Sequence, residues 1–230
     1  MEINMEKFFD CHTHEVYNER KGFLIALDGI RGTDGGYSNS EVVDVAVKNG
    51  MIPVQYVISD IKEKLETDVI KFHPRRENYT LIDVARYIEN YHPKAVIIDT
   101  LNQPYTSPED YWKLLMKFPE IPFLLSHAGG FDILYFLQIA MFQKNAWIDF
   151  SSIQHTFGWC GENVVLPHVR NHIDYALQEE RIYRKVLFGS DNMRGEPDVA
   201  IEALEQYKKY NSYNQIVKNN YKTFLKECGI

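Results

Sequence analysis

Short apolar runs alternate along the chain with longer segments of helical periodicity. The apolar runs are rich in β-branched residues and end at polar or turn-forming residues, which is typical of buried strands. Strands that alternate with helices indicate βα units around a parallel sheet. The pattern predicts eight strands, over Lys7–His12, Gly22–Asp28, Ile52–Ile58, Asp68–His73, Ala95–Asp99, Pro122–Ser126, Ala146–Phe150 and Val186–Gly189.

Several helical segments carry signals at their ends. Ser38 and Glu41 form a capping-box pattern ahead of a helix over Val42–Lys48, and Thr80 and Asp83 resemble it. Ser107 precedes a proline at the first helical position and two acids. Two further predictions concern long segments. The segment Gly129–Gln143 is apolar on almost all sides, which predicts a deeply buried helix, and Pro167 predicts a kink or two shorter helices within Glu162–Lys185.

Eight strands in alternation with helices predict a (β/α)8 TIM barrel within the α/β class. We expect a small and somewhat irregular barrel, because the links His14–Gly22 and Ile58–Asp68 are too short for full helices. No interior linker is rich in proline, glycine or serine, so residues 1–230 are predicted to form a single domain. The alternative is an open doubly wound sheet, which lacks support because no Gly-x-Gly-x-x-Gly motif follows the first strand.

Charge and composition exclude several classes of partner. The net charge of −7 argues against a nucleic-acid-binding surface, which would be basic. No apolar run approaches the ~20 residues that span a bilayer, and the first residues are charged, unlike a secretory signal. Three widely spaced cysteines fit reduced thiols better than a disulfide framework. We therefore expect a cytoplasmic protein that binds neither nucleic acid nor membrane.

The end of the first predicted strand carries His12 and His14. Side chains at i and i+2 of a strand point the same way, so both imidazoles would face one point, as a metal ion requires. With eight histidines in the chain, a His-x-His motif arises by chance often enough to be a weak signal by itself.

Later strands strengthen the signal because they also end in ionisable residues. Charged and polar side chains are seldom buried without a partner, and a shared metal would satisfy several of them together. Barrel enzymes carry their chemistry at these carboxyl ends of the strands. The residues concerned are Lys71, His73, Asp99, His127, Asp149 and Asp191.

Four motifs occur in order along the chain: Asp10-x-His12-x-His14, Lys71-x-His73-Pro74, Ser126-His127-x-Gly129-Gly130 and Phe188-Gly189-Ser190-Asp191. In these motifs the chain resembles the amidohydrolase superfamily, and within it the amidohydrolase-related (amidohydrolase 2) branch that includes aminocarboxymuconate-semialdehyde decarboxylase. The likeness extends to the C-terminal segment 220–225, which resembles the closing helix of that family. It implies that His12, His14 and Asp191 bind one divalent metal ion. It also implies that His127 and Asp191 are catalytic, with His127 as an acid/base or polarising group.

One position departs from the family pattern. Where the family usually has a metal-binding histidine at the end of strand five, this chain has Asp99. Either Asp99 replaces the histidine as an oxygen ligand, or the metal site is weakened or lost. Zinc is the first choice of metal, and an additional carboxylate ligand would make manganese or iron an alternative.

Candidate substrate-binding residues surround this predicted site. Arginines pair bidentately with carboxylates or phosphates, and aromatic and imidazole groups in a loop at the mouth of a barrel can form a substrate wall. For each residue, an ordinary surface or packing role is the alternative. The candidates are His73, Arg75, His155, Trp159 and Arg194.

These observations predict a metal-dependent hydrolase that uses metal-activated water to cleave a small amide, lactone or ester. Non-oxidative decarboxylation is the second enzymatic interpretation. The rival from another class is a non-catalytic binding barrel that has lost its metal. The expected partner is a small-molecule substrate, with a homodimer as one option for assembly.

Overall fold

The computed structural model describes residues 8–16, 21–27, 36–58, 65–101, 106–153, 167–192 and 198–230. Seven predicted strands are present close to their predicted bounds. They form one parallel sheet in sequence order, as βα units require. The strands are β1 (Phe9–Thr13), β2 (Lys21–Ile25), β3 (Ile52–Tyr56), β4 (Val69–Phe72), β5 (Ala95–Asp99), β6 (Phe123–Ser126) and β7 (Ala146–Ile148).

The eighth predicted strand, Val186–Gly189, is an irregular segment rather than a regular strand. It still joins the two edges of the sheet through the backbone. Leu187 N donates to Ile148 O of β7 at 2.9 Å, and Cys11 N of β1 donates to Phe188 O at 2.8 Å. Further along, Asp191 N donates to His12 O at 2.7 Å. The segment thereby closes the sheet into a small, irregular (β/α)8 TIM barrel.

The helices of the described residues begin where the sequence signals lie. Ser38 N donates to Glu41 Oε2, and Thr80 N donates to Asp83 Oδ2, each at 2.9 Å. Both contacts are the reciprocal half of a capping box. The helices are α1 (Asn39–Lys48), α2 (Pro74–Glu77), α3 (Leu81–Tyr91), α4 (Pro108–Lys117), α5 (Ile133–Phe142), α6 (Pro167–Ala176), α7 (Glu180–Tyr183), α8 (Asp198–Tyr207) and α9 (Asn220–Cys228).

One helix prediction needs correction. The α5 helix is not deeply buried throughout, because Leu134, Tyr135 and Phe142 are 45%, 56% and 66% exposed. Because almost every position of this segment is apolar, the sequence could not show which side of the helix packs against the sheet. The described part of Glu162–Lys185 contains two short helices, α6 and α7, the second of the two outcomes predicted for that segment. The predicted helix start at Glu162 lies outside the described residues.

The strand β1, which carries His12, contains a β-bulge. Asp10 pairs with Gly22 and Thr13 pairs with Leu24, so β1 has one residue more than β2 over this stretch. Such a bulge can re-aim side chains beside an active site. The strands also approach closely here, since a Cβ on Gly22 would stand 2.1 Å from Asp10 O. Glycine at position 22 therefore permits this pairing.

Apolar side chains fill the interior of the barrel below the strand ends. The cluster includes Phe9, Cys11, Phe23, Ile97 and Trp147, together with Phe224 of α9. Trp147 Nε1 donates to Glu227 Oε2 at 2.8 Å, which joins β7 to α9. Helix α9 thus packs against the end of the barrel opposite the ionisable residues. None of the helices in the described part of the chain is long and apolar enough to cross a membrane.

Candidate metal centre

The structure brings the ionisable strand-end residues together in one cavity. Because all strands are parallel, their carboxyl ends meet at the same side of the barrel. The cavity has a volume of about 60 Å³. Its lining includes His12, His14, Lys71, His73, Arg75, Asp99, His127 and Asp191. Among the other predicted site residues, His155, Trp159 and Arg194 lie outside the described residues.

Three of these residues form a group that could hold a metal ion. One ligand atom each from His12, His127 and Asp191 lies within 4.8 Å of the others. His14 is also adjacent, with its Nε2 3.3 Å from Asp191 Oδ1, and His12 Nε2 is 3.2 Å from the same oxygen. In a tetrahedral zinc site the ligand atoms stand about 3.3 Å apart, since each lies about 2.0–2.1 Å from the ion. These spacings fit a small divalent ion.

Hydrogen bonding of His14 adds a chemical argument for a cation. His14 Nδ1 lies 2.9 Å from Ile25 O, a carbonyl that can only accept, so Nδ1 carries the proton. Nε2, on the opposite side of the ring, faces the carboxylate oxygen of Asp191. Two acceptors at this distance repel each other unless a proton or a metal ion lies between them. The donor set therefore fits a metal that binds nitrogen and oxygen ligands.

Asp99 has other partners in this structure. Its Oδ2 lies 3.1 Å from His73 Nε2 and 3.2 Å from His127 Nε2, and its Oδ1 lies 3.9 Å from Arg75 Nε. Burial alone would raise the pKa of Asp99, but the hydrogen bond from His127 and the nearby positive charges hold it well below its usual range. Asp99 therefore lies beside the metal-capable group as an anionic acceptor, and its predicted role as a ligand stays a prediction.

Lys71 places an ammonium group inside the site. Its side chain is buried, and Nζ lies 3.0 Å from His12 Nε2 and 3.4 Å from Ser126 Oγ. Burial lowers the pKa of Lys71, whereas Asp99, Asp191 and Asp149 oppose that shift. Burial and the adjacent Lys71 also lower the pKa of His12 to about 4, so the imidazole is neutral and accepts from the ammonium. A metal ion on His12 Nε2 would have to displace this hydrogen bond.

Histidines 127 and 73 differ in charge although both contact Asp99. Burial disfavours the charged form of His127, but the Asp99 hydrogen bond and the Asp191 carboxylate raise its pKa to about 8. Burial lowers the pKa of His73 to about 3, with Lys71 and two arginines adding to the effect. At neutral pH and without a metal, His127 is thus the cationic partner of Asp99, and His73 is neutral.

Backbone strain coincides with the site. Outside glycine, φ values between +20° and +160° are uncommon, and each costs about 1–3 kcal/mol. His127 has φ +67°, Ser152 has φ +62° and Asp191 has φ +56°. The tertiary structure holds these residues in conformations that the local sequence disfavours, as is common at functional sites.

Sequence reasoning assigned no role to Asp149 and Ser151, which follow β7. Both are fully buried, and they contact His12 and His127 from the side away from the cavity. The available signal was an apolar strand that ends in an acid, the same signal that selected Asp99. The sequence did not show that Asp149 turns toward the imidazoles.

A larger groove lies along α3 and α4. It has a volume of about 680 Å³ and includes Leu81, Ile82, Lys113 and Leu114 in its lining. Its lining overlaps that of the site cavity only at Arg75. Size alone does not make it the reactive site, because the ionisable cluster lines the small cavity.

Comparison with solved structures finds the same fold in other proteins. An uncharacterized TIM-barrel protein from Bordetella bronchiseptica superimposes with a TM-score of 0.65 at 16% identity, over 91% of this chain and 79% of that one. A probable 2-pyrone-4,6-dicarboxylic acid hydrolase from Acinetobacter baumannii, with citric acid bound, gives a TM-score of 0.54 at 13% identity, over 97% and 100%. At these identities the likeness shows the fold alone. No protein-family model matches the chain, and no curated protein is significantly similar in sequence.

Proposed function

We propose that this protein is a metal-dependent hydrolase of small carbonyl compounds, and that it belongs to the amidohydrolase superfamily. The observation that carries the proposal is the position of Asp191 Oδ1, which lies 3.2 Å from His12 Nε2 and 3.3 Å from His14 Nε2. A divalent ion bound by these three atoms would satisfy both nitrogens and the carboxylate together. The motifs of the sequence and the fold of the Acinetobacter hydrolase support the same conclusion.

Each residue of the candidate site would have its own role in the proposed hydrolysis. His12, His14 and Asp191 would hold the ion, which when bound supplies Lewis acidity toward a carbonyl and makes water a better nucleophile. The second carboxylate oxygen of Asp191 would accept the proton of the attacking water. Nε2 of His127 faces the same group of ligand atoms and would donate to the carbonyl or leaving-group oxygen.

The cations of the cavity favour a substrate that carries a carboxylate. Arg75 and Arg76 line the cavity on α2, and the Arg75 side chain is 35% exposed, so it can reach a ligand. Guanidinium groups pair with carboxylates bidentately. The name of the Acinetobacter protein, a dicarboxylic acid hydrolase, fits an anionic substrate and favours hydrolysis over decarboxylation.

The direct test combines metal analysis with a substrate panel. Protein purified without chelator is analysed for metal, loaded with zinc or manganese, and offered lactones and amides with and without a carboxylate, and hydroxybenzoates. We expect close to one metal ion per chain and acid release from a carboxylated lactone or amide. Release of CO₂ would favour the decarboxylase instead. No bound metal after loading, together with no turnover, would favour the non-catalytic barrel.

Substitution of Arg75 tests the nature of the substrate. We expect Arg75→Lys to raise KM for a carboxylated substrate about tenfold with little change in kcat, because lysine cannot reproduce the bidentate contact. Steady-state kinetics with the carboxylated substrate and its neutral analogue provides the measurement. An equal rise in KM for the neutral analogue would show that Arg75 acts through something other than the carboxylate.

A further inference from the structure

The carboxylate of Asp149 contacts two of the candidate site residues, His12 and His127. Its Oδ1 accepts from His127 N at 3.1 Å, from Ser151 N at 2.9 Å and from the Ser151 hydroxyl. Its Oδ2 lies 3.4 Å from His12 Nδ1. The carboxylate is fully buried, so these contacts replace its solvation. The end of β7 is thereby tied to the residues that follow β6 and to the imidazole on β1.

The hydroxyl of Ser151 shows where the imidazole protons lie. A hydroxyl has one proton, and here that proton goes to Asp149 Oδ1, because a carboxylate can only accept. The hydroxyl oxygen must therefore accept from its other neighbours. These are His12 Nδ1 at 3.0 Å and His127 Nδ1 at 3.1 Å. Both imidazoles must carry a proton on Nδ1.

A second contact of each imidazole indicates the same proton position. His127 Nδ1 also lies 2.8 Å from Ser151 O, which can only accept. On the opposite side of the His12 ring, Nε2 lies 3.0 Å from Lys71 Nζ, a group that can only donate. The contacts on both faces of His12 thus require a proton on Nδ1 and a lone pair on Nε2.

We propose that Asp149 and Ser151 form a positioning unit that fixes the tautomer of His12 and holds the Nδ1 proton of His127. The unit retains the proton on Nδ1 of each ring, so that Nε2, which faces the cavity, is the nitrogen that binds a cation or exchanges a proton. Its functional consequence rests on the proposed function, whereas the tautomers themselves do not. The same device orients histidine ligands in metal sites, where a carboxylate or carbonyl accepts from the other ring nitrogen.

Asparagine at position 149 is the sharpest test, because it retains the shape and reverses one hydrogen bond. The amide oxygen can still accept from the backbone N–H groups of His127 and Ser151. The amide NH₂ would then face the protonated Nδ1 of His12, so two donors would meet and the ring would lose its carboxylate acceptor. Ser151 Oγ and Lys71 Nζ would still favour the proton on Nδ1. Ser151→Ala is the matched control, since it leaves the carboxylate as the acceptor for His12.

The tautomer can be read directly by NMR of ¹⁵N-labelled full-length protein, through two-bond correlations in the imidazole rings. Signals are assigned by their loss in His12→Ala and His127→Ala. In chelator-treated native protein we expect His12 with its proton on Nδ1. In Asp149→Asn we expect a zinc affinity lower by about 10–100-fold, because the amide NH₂ cannot accept from Nδ1 and no longer holds the ring in place. Ser151→Ala should retain the native tautomer and lose less zinc affinity.

The outcomes separate this proposal from the proposed function. A native protein with the proton of His12 on Nε2 would overturn the positioning unit, even if Asp149→Asn failed to fold. An Asp149→Asn variant that retains the native zinc affinity would overturn it as well, while leaving the hydrolase intact. If the protein shows the expected proton positions but neither binds zinc nor hydrolyses any substrate, the positioning unit is supported and the proposed function is refuted.

Discussion

Asp191→Asn should nearly abolish hydrolysis while the protein remains folded. The Asp191 carboxylate lies within 3.3 Å of both His12 Nε2 and His14 Nε2. Asparagine has nearly the same shape, but it provides no charge for a cation and no base for water. We expect kcat to fall by about 10²–10⁴-fold, the contribution of a general base alone, with additional loss if the metal leaves. His12→Ala should lose metal and turnover together.

His168→Ala provides the matched control, because His168 is exposed on α6, outside the cavity lining. It should retain native metal content and rate. Circular dichroism and thermal unfolding of all three variants check the fold. If Asp191→Asn or His12→Ala turned over substrate at the native rate, the site proposed here would be wrong.

The second large effect is expected at Lys71, on stability rather than on rate. Lys71 is the cation that counters three buried or partly buried carboxylates, those of Asp99, Asp149 and Asp191. Lys71→Met retains the length of the side chain and removes the charge. Removing one partner from a buried ionic group costs about 3–5 kcal/mol, so the metal-free variant should have a lower free energy of unfolding by about that amount.

Metal should reverse much of this loss. With the ammonium gone, His12 Nε2 no longer has to exchange a hydrogen bond for a metal ion, so we expect Lys71→Met to bind zinc more tightly. A ligand at 1,000 times its Kd stabilises the native state by about 4.1 kcal/mol. Urea unfolding with and without zinc measures both effects, and Lys113→Met, at an exposed site on α4, is the control. Equal stability of Lys71→Met and native protein would show that the ammonium does not neutralise the carboxylates.

The sequence predicted the fold well because its signals are local. Buried parallel strands read as short β-branched runs, and Ala95–Asp99 was placed at its observed bounds. The starts of α3 and α4 followed from single cap residues whose hydrogen bonds reach only three positions along the chain. The eighth strand was the exception. Its backbone bonds to β7 and β1 are present and continue to Asn192, but Asp191 within this stretch adopts a positive φ that no regular strand has.

The sequence predicted which strand-end residues line one cavity, but not which of them contact one another. His12, His14, His127 and Asp191 were selected because polar residues at the ends of buried strands require partners, and the structure brings them into one cavity. The prediction that Asp99 binds the metal stays untested, and the sequence did not show that its neighbours are His73, His127 and Arg75. It also gave no indication that Lys71 would donate to His12.

The sequence by itself determined that strands alternate with helices, where α1, α3 and α4 begin, and which ionisable residues stand at the strand ends. Those features depend on side-chain periodicity and on hydrogen bonds between near neighbours. Only the tertiary structure decided which acceptor faces which donor: Ser151 between two imidazoles, Lys71 on His12, and His14 directed at Asp191. These contacts join residues far apart in the chain, and their geometry is set by the β1 bulge and by barrel closure, which no local pattern encodes.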